Sequence, residues 1–249
     1  MQIVFDHAER IGPTVMTFWF KPSQPFFYTA GQFTELYLAH KGADDRGLRR
    51  WFTLSSSPTE PLIGISTKFA PSDGSSFKRQ LQALQPGTTL QADEAMGDFV
   101  LPKDTTIPVV FVAAGIGVTP VRSMVKWLVD TGEERHVSLI QAASTPRELA
   151  FRELWSQYPL VYTSLVTTAH TGPNTKQNAG ATTPYTDYTG QIGRLSAAAI
   201  LDTAPPDARN LYYLSGPEIL VEQLTKDLIA AGIPDYRVIT DYFHGYPQL

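Results

Sequence analysis

Two arginines run straight into a short apolar segment that ends in hydroxyls: "RRWFTLSSSP", Arg49 to Pro58. A guanidinium presents a planar fork of donors that matches phosphate oxygens. A phosphorylated ligand lying along this segment would use both of its ends; a charged strand end followed by a polar turn is the alternative. Two further segments have the form of phosphate-binding turns. "AAGIGVTP", Ala113 to Pro120, follows an apolar strand and opens a helix, where backbone N–H groups face an anion. Gly115 and Gly117 let main chain approach a ligand closely. Thr119 can cap the helix or turn its hydroxyl to a phosphate or ribose. A tight turn without a ligand explains the same residues. "YYLSGPEIL", Tyr212 to Leu220, repeats the junction with Ser215, Gly216 and Pro217, for which helix-start chemistry is also a complete account. The dinucleotide fingerprint G-x-G-x-x-G is not met, because Pro120 occupies its third glycine position, and this disfavours a standard Rossmann dehydrogenase.

Those segments need elements to hold them, and the chain changes grammar near Pro102. Before it, "TVMTFWF", "FTELYLA", "WFTLSSS", "LIGISTKF" and "TTLQADE" read as short strands, punctuated by Pro and Gly. Their spacing predicts a small antiparallel barrel, interrupted by one helix over "SSFKRQLQAL". After Pro102, "IPVVFVAA" is a strand of the kind buried on both faces. A helix from about Thr119 to Gly132 follows, then the strand "HVSLIQAA", a helix over "RELAFRELWSQY" and the strand "LVYTSLVT". "NLYYLS", "EILVEQLTKDLIAAG" and "YRVIT" complete an alternation that predicts a doubly wound parallel sheet. Residues 169–190, rich in Thr, Gly, Asn and Pro, read as a long loop.

Composition narrows the chemistry. The 249 residues suffice for one large or two small domains, and 43% hydrophobic with 18% charged is ordinary for a soluble globular chain. A net charge of −4 argues against general nucleic-acid binding. With no cysteine, disulfides, thiolate-held zinc and cysteine-ligated iron–sulfur clusters are excluded, so redox chemistry requires another carrier. His7, His40, His136 and His170 lack metal-ligand spacing, and no metal site is expected. No signal peptide or membrane span is evident, and a cytoplasmic location is the expectation.

The motifs, taken in order, resemble the ferredoxin–NADP reductase superfamily. They are "GQF" (Gly31 to Phe33), Arg50, Trp51, Phe52 and Thr53 as an Arg-x-Tyr/Phe-Ser/Thr signature, and "GSSF" (Gly74 to Phe77). "MGDF" (Met96 to Phe99), "AGIGVTP", "SGP" and the terminal "DYFHGY" follow, so the set spans residues 31 to 246. The resemblance implies an FAD-binding barrel over 1–102 and an NAD(P)-binding α/β domain over 103–249. It implies that Arg50 binds the flavin phosphate, that Phe52 packs on the isoalloxazine or ribityl chain, and that Thr53 lies near flavin N5. Gly74, Ser75 and Ser76 would serve the pyrophosphate, which favours FAD over FMN, and Trp51 and Lys68 are counted with the cofactor-binding residues. Ser215, Gly216 and Pro217 would meet the nicotinamide, and Phe243 or Tyr246 would cover the other flavin face.

Three departures stand out. Ala114 replaces the first glycine of a Gly-Gly-x-Gly turn, Ser215 replaces the cysteine of Cys-Gly-Pro, and "STP" (Ser144 to Pro146) lacks the arginine of Arg-Thr-Pro. Arg147 and Arg152 could bind a 2′-phosphate or remain solvated beside Glu148 and Glu153, so NADPH is favoured over NADH only slightly. The implied activity passes electrons from NAD(P)H through FAD to a separate acidic carrier such as ferredoxin or flavodoxin, docked on Lys41, Arg46, Arg49 and Arg50. A reductase serving an oxygenase, free flavin or quinone is the alternative within this chemistry, and a non-catalytic nucleotide-binding subunit the alternative outside it.

Overall fold

Alternating apolar and polar residues in the first hundred positions produce six antiparallel strands: β1 (Gln2–Arg10), β2 (Val15–Pro22), β3 (Phe33–Tyr37), β4 (Arg49–Thr53), β5 (Ile63–Lys68) and β6 (Thr89–Ala92). Their order is β4-β3-β6-β1-β2-β5, and a bridge between Leu54 and Ile65 joins the two edge strands, closing the sheet. The computed structural model of the chain describes residues 1–69, 75–168, 188–204 and 207–243, without the side chains of 242 and 243. Helix α1 (Ser76–Gln82) inserts Phe77 and Leu81, both fully buried, among Phe18, Phe20, Leu36, Phe52 and Leu54. Each such side chain contributes about 1.5–3 kcal/mol through burial. Strand β1 lies centrally between β6 and β2, where the residue pattern predicts no strand. Its residues from Asp6 to Arg10 are all exposed, so only its first half alternates.

The second half forms a parallel sheet from β7 (Val109–Ala114), β8 (Val137–Ala143), β9 (Val161–Val166), β10 (Gln191–Ile192), β11 (Leu211–Pro217) and β12 (Val238–Phe243), in the order β10-β9-β8-β7-β11-β12. Alternate residues of β7 feed two cores. Phe111 packs with Val121, Met124 and Leu128 of α2 (Val118–Thr131) on one face. On the other, Val110 and Val112 pack with Ile200 of α4 (Ala197–Thr203) and with Leu224 and Leu228 of α5 (Glu218–Ala230). Gly132 ends α2 in the left-handed conformation, its N–H bonded to Leu128 O.

The expected helix over "RELAFRELWSQY" is broken. A single 3₁₀ turn covers Pro146–Glu148, and α3 is only Arg152–Trp155. Between them Phe151 has φ 63°, a conformation that costs a non-glycine residue about 1–2 kcal/mol. Buried Gln141 explains the break. Its amide donates to Ala150 O at 3.1 Å and its carbonyl accepts from Trp155 Nε1 at 3.1 Å, drawing the main chain toward β8. Strand β10 and helix α4 lie outside the elements read from sequence. Residues 169–187 of the expected long loop lie outside the described residues.

Candidate functional site

Arg50 is 6% exposed and is held from several sides. Its Nη1 donates to the carbonyls of Arg46, Gly47 and Arg49 at 2.7, 2.9 and 2.7 Å, and Nη2 donates to Asp44 Oδ1 at 2.5 Å. The guanidinium lies 5.6 Å from the centre of the Phe77 ring. Ser75 caps α1 by accepting from Lys78 N–H, and Ser76 N–H donates to Asp44 Oδ2 at 2.8 Å. Two groups for which the resemblance implies a phosphate therefore converge on one anionic position. Burial, the largest single influence on Asp44, pushes its carboxyl upward. The bonds from Ser76 N–H and Arg50, with the Arg50 charge, outweigh that and hold it at about 2. One donor is left over: Arg50 Nε is buried and has no partner among the described residues. A group with more oxygens than a carboxylate would engage it, so these residues fit a bound diphosphate.

Strand alternation sorts the rest of β4. Phe52 is buried against Phe77 at 5.7 Å between ring centroids, and Thr53 is buried opposite Phe33 of β3. Trp51 points away from Phe52, on the face shared by Thr53 and Phe33; it is 53% exposed and meets Phe33 edge-on at 5.4 Å. Lys68 forms an ion pair with Glu148 Oε1 at 3.5 Å, joining the end of β5 to the turn after β8.

The three serines after β4 are all buried and belong to the seam between the two halves. Ser55 O accepts from Arg122 Nη1 at 3.0 Å, and Ser56 O accepts from Ser123 Oγ at 2.5 Å. Arg122 also makes a two-point pair with Glu60, whose Oε2 accepts from Ser57 N–H at 2.7 Å, and its guanidinium sits 5.5 Å from the Trp19 ring centre. Thr59 Oγ1 donates to Asp130 at 2.5 Å. Arg122, Ser123 and Asp130 all lie on α2, so this helix is bolted to residues 55–60 of the barrel.

The same helix begins at the first candidate nucleotide turn. Gly115 has φ 56°, and Gly117 packs against the second turn: a Cβ built on it would meet Ser215 O at 2.2 Å. Contact between the two turns thus dictates glycine at 117. Thr119 is buried and donates Oγ1 to Ile116 O at 3.0 Å, an internal bond that tightens the turn. Register places Ser215 between Ala113 of β7 and Asp241 of β12, all at the carboxyl edge of the sheet. Ser215 Oγ donates to Asp241 Oδ2 at 3.4 Å. Burial pushes the Asp241 carboxyl up to about 6, and the Ser215 bond lowers it only in part. Gly216 and Pro217 pair in register with Tyr242 and Phe243, so the backbone of the terminal motif reaches the nucleotide turn.

Gly74, Tyr246 and the side chain of Phe243 lie outside the described residues. Arg147 is in the 3₁₀ turn after β8 and Arg152 opens α3, both exposed. Sequence reasoning passed over Asp44, Arg122, Glu60 and Asp241. For Asp241 a signal existed: a carboxylate at the end of an apolar strand, two residues before Phe243. The others depend on contacts between distant segments.

The two-domain architecture, an antiparallel barrel beside a doubly wound sheet, agrees with comparison to known proteins. A family model for an oxidoreductase NAD-binding domain matches residues 111–226. The glycine betaine monooxygenase reductase subunit of Chromohalobacter salexigens is 36% identical over 144 residues, covering 56% of this chain and 38% of that one. The stachydrine N-demethylase reductase subunit of Rhizobium meliloti is 27% identical over 237 residues, covering 94% of this chain and 64% of that one. The chain therefore spans between about four-tenths and two-thirds of the length of these relatives. Among solved structures, the FAD/NAD-binding domain of nitric oxide dioxygenase from Vibrio cholerae superposes with a TM-score of 0.76 at 19% identity, covering 97% of this chain and 98% of that one. A ferredoxin NADP⁺ reductase from Neisseria gonorrhoeae with bound FAD and NADP gives a TM-score of 0.74 at 17% identity, with the same coverage of 97% and 98%. In fold the chain is similar to these reductases, and residues 111–226 match the oxidoreductase NAD-binding domain.

Proposed function

We propose that the chain is a flavin-dependent NAD(P)H oxidoreductase that passes electrons through FAD to a separate protein. The observation that carries this reading is the convergence of Arg50 and Ser76 on one anionic position, with Arg50 Nε buried and unpartnered among the described residues. Arg50 and Ser76 would hold the FAD diphosphate, and Phe52 and Thr53 would line the flavin. Ser215, Gly216 and Pro217 would orient the nicotinamide of NADPH or NADH. When bound, FAD supplies the conversion of a two-electron donor into one-electron transfers. The chain itself binds, orients and excludes water. Ser215 holds a hydroxyl at the sheet edge in place of a thiol, and Asp241 fixes that hydroxyl.

For the acceptor, we favour an oxygenase component over a free-standing ferredoxin or flavodoxin. Two relatives are reductase subunits of a monooxygenase and a demethylase. The basic docking group expected for an acidic carrier is also partly committed elsewhere. Arg49 pairs with Glu35 and Asp93, and Arg50 is buried on Asp44.

Purified protein should be yellow and should bleach anaerobically on addition of NADPH or NADH. Colourless protein that cannot be reconstituted with FAD would refute the reading. Arg50→Ala should weaken FAD binding by about a hundredfold, since it removes charge-assisted bonds worth about 1.5–3 kcal/mol each. Equilibrium titration of FAD fluorescence reads the change, and full affinity in the variant would show that Arg50 is not a phosphate ligand.

A further inference from the structure

Asp44 lies in the loop between β3 and β4, whose base is closed by Leu38 N–H donating to Leu48 O at 3.0 Å. Its two carboxylate oxygens are divided between two elements, Oδ1 on Arg50 of β4 and Oδ2 on the backbone of Ser76. Asp44 N–H donates to Ser76 Oγ at 2.9 Å, and His40 Nε2, from the same loop, bonds that hydroxyl at 3.0 Å. The loop is thus fastened across the anion-holding residues by an anion of its own.

The fit is incomplete in a specific way. Both Asp44 oxygens are engaged, yet among the described residues Arg50 Nε stays buried without a partner. The Asp44 side chain is 30% exposed while that of Arg50 is 7% exposed, so the carboxylate sits at the mouth and the guanidinium behind it. An incoming phosphate would need the same two donors, and two anions cannot share them without strong repulsion.

We propose that Asp44 is an intramolecular stand-in for the FAD diphosphate: it holds Arg50 and Ser76 in the free protein and yields both when the dinucleotide binds. The proposal rests on the FAD reading above. It makes Asp44 a determinant that lowers FAD affinity, opposite in sign to an ordinary supporting residue. It also assigns the loop over residues 38–48 the opening movement that admits the cofactor.

Asp44→Asn keeps the shape and removes the charge. Wild-type and variant proteins stripped of flavin are titrated with FAD and with riboflavin, which has no phosphate, following flavin fluorescence. The variant should bind FAD about tenfold or more tightly, equivalent to ~1.4 kcal/mol, with riboflavin affinity unchanged. Its flavin-free form should melt below the wild type, while the FAD-saturated forms melt together. Unchanged or weaker FAD binding in the variant, an equal gain for riboflavin, or a flavin-free variant that melts no lower would each overturn the stand-in and leave the FAD reading intact. Failure of both proteins to bind FAD would overturn the two together.

Discussion

Arg122 offers the most direct test of how the two halves are joined. Replacing it with alanine removes a two-point pair with Glu60, a bond to Ser55 O and the contact with the Trp19 ring. Among the described residues it also leaves the Glu60 carboxylate with Ser57 N–H alone. Removing one partner of a buried pair costs about 3–5 kcal/mol. The side chains of Arg122 and Glu60 are 13% and 15% exposed, which puts the expectation at the lower end, about 3 kcal/mol. With a urea slope of about 3 kcal/mol per M, the unfolding midpoint should fall by about 1 M. Glu60→Ala should cost less, because Arg122 keeps Ser55 O and Trp19. The double variant should show a coupling of about 2 kcal/mol. Equilibrium urea unfolding followed by tryptophan fluorescence measures all four proteins. A loss below about 1 kcal/mol for Arg122→Ala, or additive single effects, would refute the seam as a source of stability.

Two further predictions concern the carboxyl edge of the nucleotide sheet. Burial raises the Asp241 carboxyl from 3.8 to about 6, so the folded protein holds this proton more tightly than the unfolded chain. The stability this confers is complete below about pH 4 and is lost as pH rises to about 6. Asp241→Asn should therefore be more stable than wild type at pH 8 by about 2–3 kcal/mol, from roughly 1.4 kcal/mol per pKa unit, and equal to it near pH 4. Urea midpoints at the two pH values check this, and a gap that persists at pH 4 would refute it. Gly117→Ala places a methyl group 2.2 Å from Ser215 O and should force the two turns apart. A destabilisation of about 2–3 kcal/mol is expected, together with weaker NAD(P)H binding, read by thermal melting and by nucleotide titration. A variant with wild-type melting and affinity would show that the turns do not need this contact.

The features legible in the sequence are those whose cause is local. Strand alternation in β4, the Gly132 helix stop and the apolar run of β7 all follow from neighbouring residues, and each appears where the pattern puts it. Pairing of Arg50 with the "GSSF" segment was legible only as an implication of resemblance, and the structure joins Arg50 to Ser76 through a residue from a third segment. The breaks in legibility are long-range. No periodicity in "RELAFRELWSQY" reveals that Gln141, nine residues before Ala150, captures its carbonyl. Gly117 looks like a ligand-facing glycine until β11 is laid beside it. Ser55, Ser56 and Ser57 look like a turn, yet all three are buried, and the carbonyls of Ser55 and Ser56 are held by a helix more than sixty residues away.

That burial bears on how such proteins can be recombined. The linker near residue 102 is where the chain passes from one half to the other, but the mechanical joint is Arg122, Ser123 and Asp130 against residues 55–60. A chimera cut at residue 102 keeps the peptide connection and separates the partners of that joint. A foreign nucleotide domain grafted there would need matching side chains on its first long helix, or would have to bring residues 55–60 with it. Those residues are continuous with β4, so any graft that repairs the joint also edits the strand that carries Arg50.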